Sequence, residues 1–212
     1  MKITAIQPQK LRADRVNLQV DGEFRLALAA ELVVTEHLHV GDEIDAARLE
    51  ALEARDRGWK ARDAALSLLS HRARSSAELE RRLRRKGFEP EMAESTVERM
   101  EALGMVDDAS FAESFVRDRV RLRPHGRRRL AQELRAKGVD EDTARDAIEQ
   151  VMAREEASEI DLARAAAARW KPRPGEEPER ARRRLHAFLA RRGFGGDVVR
   201  EVVDEKVPAA DS

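Results

Sequence analysis

The chain contains no cysteine and no tyrosine, and it has only six phenylalanines and two tryptophans among 212 residues. Without cysteine there is no disulfide framework, no thiolate nucleophile, and no zinc or iron–sulfur site built on thiolate ligands. The scarcity of aromatic rings argues against a surface that holds single strands by stacking on their bases. The chain must therefore rely on aliphatic packing and on charged side chains for folding and binding.

Long apolar runs are also missing. Mostly apolar stretches such as residues 64–69 fall far short of the roughly 20 residues that span a bilayer. The opening MKITAIQPQK lacks the apolar stretch of a secretory signal. These features predict a soluble, cytoplasmic protein that does not bind a membrane.

Charge is abundant and balanced. Lys and Arg total 41, Asp and Glu total 41, and charged residues make up 39% of the chain. Arginine supplies 34 of the basic residues and lysine 7. A genomic bias toward arginine codons and selection for bidentate grip on carboxylates or phosphates both produce such an excess. Composition does not separate the two explanations, whereas the positions of the arginines bear on them.

The first 45 residues have the pattern of a small β module. Residues 2–7 predict a strand, and apolar residues alternate with polar ones over residues 15–28. Asp21-Gly22 lies in the middle of that alternation and suits a type I′ hairpin turn. Residues 30–38 predict a short helix.

Everything after Asp45, a predicted helix N-cap, has helical periodicity. The exception is KPRPGEEPE at residues 171–179, whose three prolines and one glycine predict a loop. The segment 207–212 is predicted to be a disordered tail. The predicted helical segments are 46–57, 59–70, 113–122 and 156–170.

An internal repeat is the most specific signal in the sequence. The windows SSAELERRLRRKGF, HGRRRLAQELRAKGV and RARRRLHAFLARRGF each carry Leu-x3-Leu-x3-Gly followed by Phe or Val. The glycines are Gly87, Gly138 and Gly193, which are 51 and then 55 residues apart. Three such copies are not expected by chance in amphipathic helices, and they indicate tandem structural repeats.

The residues around each glycine describe a repeat unit of three helices. Glycine ends a helix in the left-handed conformation, basic residues precede it and acidic residues follow it, as the helix dipole favours. A unit of about 50 residues is marginally stable alone. We therefore predict a mainly α protein, in which three-helix, helix-turn-helix-like repeats stack into an elongated, solenoid-like array behind the β module. The predicted bounds are 1–45 for the β module, 46–104 for a linker helix and the first repeat, 105–152 for the second repeat and 153–206 for the third.

Charge is strongly segregated among these helices. The three predicted middle helices, 75–87, 126–138 and 180–193, together hold 16 basic and 3 acidic residues. With the repeat leucines turned inward, a helical projection places nine arginines outward: Arg81, Arg84, Arg85, Arg128, Arg129, Arg135, Arg183, Arg184 and Arg191. A solvated face paired with the acidic third helices is one interpretation. The other is a surface that binds a polyanion, either a phosphate backbone or an acidic protein groove.

Sequence-specific DNA reading and catalysis both find little support. Gln132 is the only side-chain amide in the three windows, so a set of base-reading residues is missing. The five histidines form no metal-binding pattern, and Arg192-Gly193-Phe194-Gly195-Gly196 follows a helix, so it is a helix stop and not a nucleotide-binding loop. Asp107-Asp108 is interpreted as a helix N-cap rather than a metal pair. We expect no catalytic residue, no metal and no cofactor.

The sequence resembles the RecX family of RecA regulators. The stretches that carry the resemblance are RARSSAELERRLRRKGF at 72–88, MVDDASFAESFVRDRVRLRPHGRRRLAQELRAKGV at 105–139 and LHAFLARRGFGGDVVREVV at 185–203. KITAIQ and DGEF near the start resemble the amino-terminal extension of longer members. The loop at 171–179 departs from the family pattern.

The resemblance implies tandem three-helix repeats and a modulator that is not an enzyme. It implies binding to RecA, or to the RecA filament on DNA, and modulation, mostly inhibition, of its recombinase, ATPase and co-protease activities in recombinational repair and the SOS response. We expect a monomer, with the nine arginines as the candidate contact to RecA or to DNA phosphate. Free RecA, the filament end and the filament groove are all possible targets. A non-sequence-specific DNA-binding or architectural protein is the alternative.

Overall fold

The computed structural model of the protein describes residues 1–208, which divide into two compact units. The first unit comprises residues 1–71 and 81–99, and the second comprises residues 72–80 and the chain from residue 100 onward. Of the predicted tail, residues 209–212 lie outside the described part of the chain. Val207, at the start of that predicted tail, packs against the core of the second unit.

The β module is a three-stranded antiparallel sheet. Its strands are β1 (Ile3–Pro8), β2 (Arg15–Val20) and β3 (Glu23–Ala29), in the order β1-β2-β3. Asp21 and Gly22 connect β2 and β3 with φ angles of 52° and 85°, the two positive values that a type I′ turn needs. The predicted strand and hairpin are confirmed.

Two helices follow the sheet. They are α1 (Ala30–Thr35) and α2 (Ala46–His71). Asp45 caps α2, because its Oδ1 accepts a hydrogen bond from the Arg48 backbone N–H at 2.7 Å. The two predicted segments 46–57 and 59–70 form one helix of 26 residues that runs straight through Gly58. Leu52 of this helix joins the apolar side chains of the sheet in one buried core.

A buried ion pair fastens α2 to the sheet. Arg15 at the start of β2 and Asp56 on α2 are 5% and 3% exposed. Arg15 Nη1 donates to Asp56 Oδ1 at 2.6 Å, and the Ala29 backbone N–H donates to the same carboxylate at 2.9 Å. Burial alone would raise the pKa of Asp56, but hydrogen bonds from Arg15 and Lys60 outweigh burial and hold the pKa below its ordinary value.

The rest of the described chain is helical. The helices are α3 (Ser76–Arg85), α4 (Pro90–Ala102), α5 (Asp108–Leu122), α6 (Arg127–Lys137), α7 (Glu141–Arg154), α8 (Glu159–Ala168), α9 (Pro178–Arg191) and α10 (Gly196–Lys206). With the later part of α2, they make three successive groups of three helices, whose middle members are α3, α6 and α9. The prediction of a mainly α fold built from three-helix repeats behind a small β module is confirmed.

The repeat glycines end the three middle helices as predicted. Gly87, Gly138 and Gly193 have φ angles of 91°, 86° and 82°. This left-handed conformation strains any residue with a Cβ, so it explains why glycine recurs at this position. The predicted loop at 171–179 ends two residues earlier than expected, because α9 begins at Pro178, and proline suits the first position of a helix.

Two contacts between residues of the second unit join the start of one middle helix to the end of another. At one junction, the Arg192 carbonyl after α9 accepts a hydrogen bond from the Gly126 backbone N–H before α6, at 2.8 Å. At the other, the Lys137 carbonyl at the end of α6 accepts a hydrogen bond from the Ser75 hydroxyl before α3, at 2.6 Å. Each contact gives a helix-end carbonyl a donor and sets the negative end of one helix dipole against the positive end of the next.

Candidate partner-binding surface

The two repeat leucines fix which side of each middle helix faces the core. All six of these leucines are fully buried: Leu79, Leu83, Leu130, Leu134, Leu185 and Leu189. Because leucines four residues apart lie on one helix face, the arginines between and beside them are directed away from that face.

The first middle helix, α3, carries three of the arginines predicted to face outward. Arg81, Arg84 and Arg85 are all exposed. The side chain of Arg85 makes no hydrogen bond or ion pair with any residue in the range 1–208.

The second middle helix, α6, divides its arginines between solvent and intramolecular contacts. Arg128 is exposed and has no ion-pair partner in the part of the chain that the structure describes. Arg135 is exposed and lies 3.1 Å from Glu141, a surface pair that contributes little stability. Arg129 is half-buried, and its Nε donates to Glu133 Oε1 at 2.9 Å.

On the third middle helix, α9, one arginine differs from the expected outward orientation. Arg183 and Arg191 are exposed. Arg184 instead folds over the Trp170 ring at 4.8 Å, donates to the Lys171 carbonyl at 2.9 Å and pairs with Glu176 at 3.1 Å. The reason is the loop before α9, which places a ring, a carbonyl and a carboxylate where a helical projection shows only solvent.

Glu133, on α6, is the carboxylate that pairs with Arg129 of the same helix and with Arg119 of α5. Burial alone would raise its pKa, but hydrogen bonds from Arg119 and Arg129 outweigh burial and lower the pKa below its ordinary value. Glu133 therefore stays ionised at neutral pH and offsets part of the positive charge around it.

The structure also gathers arginines that the helical projection did not single out. Arg192, just after α9, lines a cavity together with three arginines that follow or end the first helices of their repeats: Arg119, Arg123 and Arg169. Arg129 of α6, which the projection did place outward, lines the same cavity. The run from residue 117 to 129, with seven arginines, was the available sequence signal. It did not show which of these arginines converge, because their convergence depends on packing between repeats.

The sequence predicts that Asp107 is part of a helix N-cap. Asp107 caps α5, and its carboxylate accepts hydrogen bonds from Ser110 and Ala109, which lower its pKa. The N-cap interpretation of this residue is confirmed. Within residues 1–208, no group of three or more His, Asp or Glu side chains is placed to hold a metal ion, and no helix is long and apolar enough to cross a bilayer.

The fold and the surface define a protein of tandem three-helix repeats, preceded by a small β module and rich in exposed arginine. Family models match this organisation in order along the chain. Residues 1–45 match the regulatory protein RecX N-terminal domain, and three further models match the first, second and third three-helix domains of RecX at residues 61–100, 107–148 and 157–203. The chain belongs to the RecX family of regulatory proteins.

Individual relatives agree with this assignment. The chain is 37% identical to the regulatory protein RecX of Prosthecochloris aestuarii over 146 residues, which cover 69% of this chain and 93% of that relative. It is 40% identical to the regulatory protein RecX of Thermobifida fusca over 151 residues, covering 71% and 80% of the two chains. A crystal structure of regulatory protein RecX superposes with a TM-score of 0.74 at 25% identity, covering 96% of this chain and 98% of the other.

Proposed function

We propose that the protein binds RecA, or the RecA filament on DNA, and inhibits its recombinase, ATPase and co-protease activities. In this proposal it acts in the cytoplasm as a monomeric regulator of recombinational repair and the SOS response and has no catalytic activity of its own. Family membership along the whole chain supports a regulatory role. The observation that carries the choice of surface is the exposed arginine at recurring positions on α3, α6 and α9.

The repetition of this charge suits a repetitive partner. A filament presents the same acidic surface or phosphate at each step, and a chain with three similar basic helices can contact several steps at once. Linked weak contacts raise overall affinity well beyond that of each contact, provided that the geometry lets them engage together. Attraction between basic and acidic surfaces also speeds association, and it weakens as salt rises.

The proposal is tested by reversing charge at one accessible arginine on each middle helix. In the triple variant Arg85→Glu, Arg128→Glu, Arg183→Glu, we expect the concentration for half-maximal inhibition of RecA ATPase on single-stranded DNA to rise about tenfold or more. The matched control is Arg57→Glu, Arg99→Glu, Arg200→Glu, which has the same charge change at exposed arginines outside the middle helices. We expect the control to inhibit within about twofold of the parent protein. Equal inhibition by both folded variants would remove the middle-helix arginines from the contact.

A second candidate function is non-sequence-specific DNA binding without RecA. It is favoured by the 16 basic residues against 3 acidic ones on the predicted middle helices. It predicts tight duplex binding in the absence of RecA, with affinity falling steeply as salt increases, because each phosphate contact releases a counterion. A filter-binding salt titration on duplex DNA without RecA separates the candidates, since a regulator that contacts RecA directly does not need to bind bare duplex tightly.

A further inference from the structure

A cavity of about 500 Å³ lies in the second unit, where the ends of several helices meet. It is lined by the end of α5 and the residues after it, the beginning of α6, the end of α8 and the residue after α9. Its charged and titratable lining is five arginines, one glutamate and one histidine: Arg119, Arg123, Arg129, Arg169, Arg192, Glu133 and His125. We call this cavity the arginine pocket.

The single carboxylate in the arginine pocket is already occupied. Glu133 accepts hydrogen bonds from Arg119 Nε at 2.8 Å and from Arg129 Nε at 2.9 Å, one on each oxygen. One negative charge cannot balance five guanidinium groups, so the lining keeps a net charge of about +4 at neutral pH, because arginine does not lose its proton in proteins.

Aromatic rings hold two of the guanidinium groups in place. Arg192 lies over the Phe188 ring at 3.8 Å, and Arg119 lies over the Phe115 ring at 4.4 Å. Stacking of this kind fixes the plane of a guanidinium group and leaves its N–H donors at the edge available to a ligand. The side chains of Arg123 and Arg192 make no hydrogen bond or ion pair with the described residues 1–208.

The positive charge and the burial of the pocket act on two of the groups that line it. Burial, with Arg191 and Arg169 nearby, lowers the pKa of Arg192. Burial also lowers the pKa of His125; Glu133 opposes this effect, while Arg119, Arg192 and Arg129 add to it. The His125 Nδ1 atom is buried and lies 3.5 Å from Glu133 Oε1, but it makes no hydrogen bond in the described chain. Each of these features would be relieved by an anion that enters the pocket.

We propose that the arginine pocket is a binding site for a phosphate group. A tetrahedral phosphate has more acceptor oxygens than a carboxylate and can take N–H donors from several guanidinium groups that approach from different helices. A carboxylate ligand would repeat what Glu133 already does with two arginines, and it would leave Arg123, Arg169 and Arg192 uncompensated. The phosphate comes either from a nucleic-acid backbone or from free phosphate in solution.

The site differs from the surface proposed to contact RecA. Only Arg129 belongs to both sets, and phosphate binding needs no RecA. A measurement made without RecA therefore tests the arginine pocket alone, whether or not the exposed arginines of the middle helices contact a filament.

The test is isothermal titration of the full chain in chloride buffer with pyrophosphate as the probe, compared between two single variants. Arg192→Ala removes the stacked guanidinium, and we expect it to weaken pyrophosphate binding at least about tenfold. Arg192→Lys keeps the positive charge but loses the planar set of guanidinium donors and the stacking on Phe188, so we expect an intermediate loss of pyrophosphate affinity. Arg145→Ala on α7 is the control, because Arg145 is exposed, pairs with Asp142 and does not line the arginine pocket.

A loss of pyrophosphate binding in Arg192→Ala can be distinguished from a loss of folding. Removal of an uncompensated cation should leave the free energy of unfolding in phosphate-free buffer unchanged or higher, which urea denaturation checks. Absence of pyrophosphate binding, or equal binding by Arg192→Ala and Arg145→Ala, would overturn the proposal.

Competition identifies the source of the phosphate. If a single-stranded oligonucleotide displaces pyrophosphate from the parent protein and binds less tightly to Arg192→Ala, the arginine pocket holds a nucleic-acid backbone phosphate. If the oligonucleotide leaves pyrophosphate in place, the pocket takes free phosphate. In both cases, the His125 imidazole signals in proton NMR should show a pKa that rises when phosphate binds, because the anion offsets the effect of Arg119, Arg129 and Arg192 on the ring. A His125 pKa that stays constant as pyrophosphate binds would place the anion elsewhere and overturn the assignment.

Discussion

Gly126→Ala is expected to lower the free energy of unfolding of the second unit by about 3 kcal/mol or more, whereas Gly195→Ala should cost about 1 kcal/mol or less. Gly126 and Gly195 are the N-cap residues of α6 and α10, with φ and ψ of −75° and 163° for the first and −64° and 149° for the second. The two sites therefore place the same conformational demand on alanine.

The difference comes from the space around each Cβ. A Cβ at Gly126 would lie under 3.0 Å from the Gly193 carbonyl oxygen, while a Cβ at Gly195 would have no atom within 4 Å. Backbone atoms cannot swing aside as a flexible side chain does, so the junction between α9 and α6 must open. The same movement would stretch the hydrogen bond from the Gly126 N–H to the Arg192 carbonyl.

Each unit contains one tryptophan, which makes the measurement specific. In a Trp59→Phe background, the fluorescence of Trp170 reports on the second unit alone, and urea denaturation gives the free energies of both glycine variants. Equal destabilisation by Gly126→Ala and Gly195→Ala would contradict the close approach of α9 to α6.

Asp56→Ala is expected to destabilise the first unit by about 3–5 kcal/mol, because it leaves the Arg15 guanidinium buried without its main partner. The double variant Arg15→Met, Asp56→Leu should recover part of that loss, since it removes both charges and fills the space with apolar atoms. Asp63→Ala is the control. Its carboxylate is exposed and lies 3.8 Å from Arg12, so we expect a change within about 0.5 kcal/mol.

The contribution of Asp56 depends on pH with a definite sign. Its pKa in the folded protein is lowered from the ordinary value of 3.8, so its stabilising effect is present above that value and is lost as pH falls through the lower folded pKa. In a Trp170→Phe background, the difference in stability between parent and Asp56→Ala should be constant near neutral pH and shrink at pH values below about 4. A difference that persists unchanged in strong acid would mean that Asp56 acts through packing and not through its charge.

Several elements follow from local sequence because the physics that produces them is local. The turn at Asp21-Gly22, the caps at Asp45 and Asp107, and the helix ends at Gly87, Gly138 and Gly193 depend on a few neighbouring residues each. The repeat itself is a pattern of leucine and glycine along one helix. The side of each middle helix that faces the core could therefore be predicted without knowing what packs against it.

The arginines of the candidate site could be predicted only in part from the local sequence. Helical projection placed Arg128, Arg183 and Arg191 outward, and they are exposed. It also placed Arg184 outward, and this expectation is wrong because the side chain meets Trp170 and Glu176 from the preceding loop. A helical projection uses only the residues of one helix and contains no information on the elements that pack against it.

The hairpin, the order of the helices, the repeat and the sign of the charge on the middle helices could all be read from local patterns of residues. Other contacts became visible only once the helices were packed: Arg15 meets Asp56, 41 residues away, Gly126 abuts Gly193, and five arginines in or just after α5, α6, α8 and α9 share one cavity. The physical reason is that these contacts join side chains or backbones far apart along the chain. Their distances are set by how whole helices pack, and no local periodicity encodes those distances.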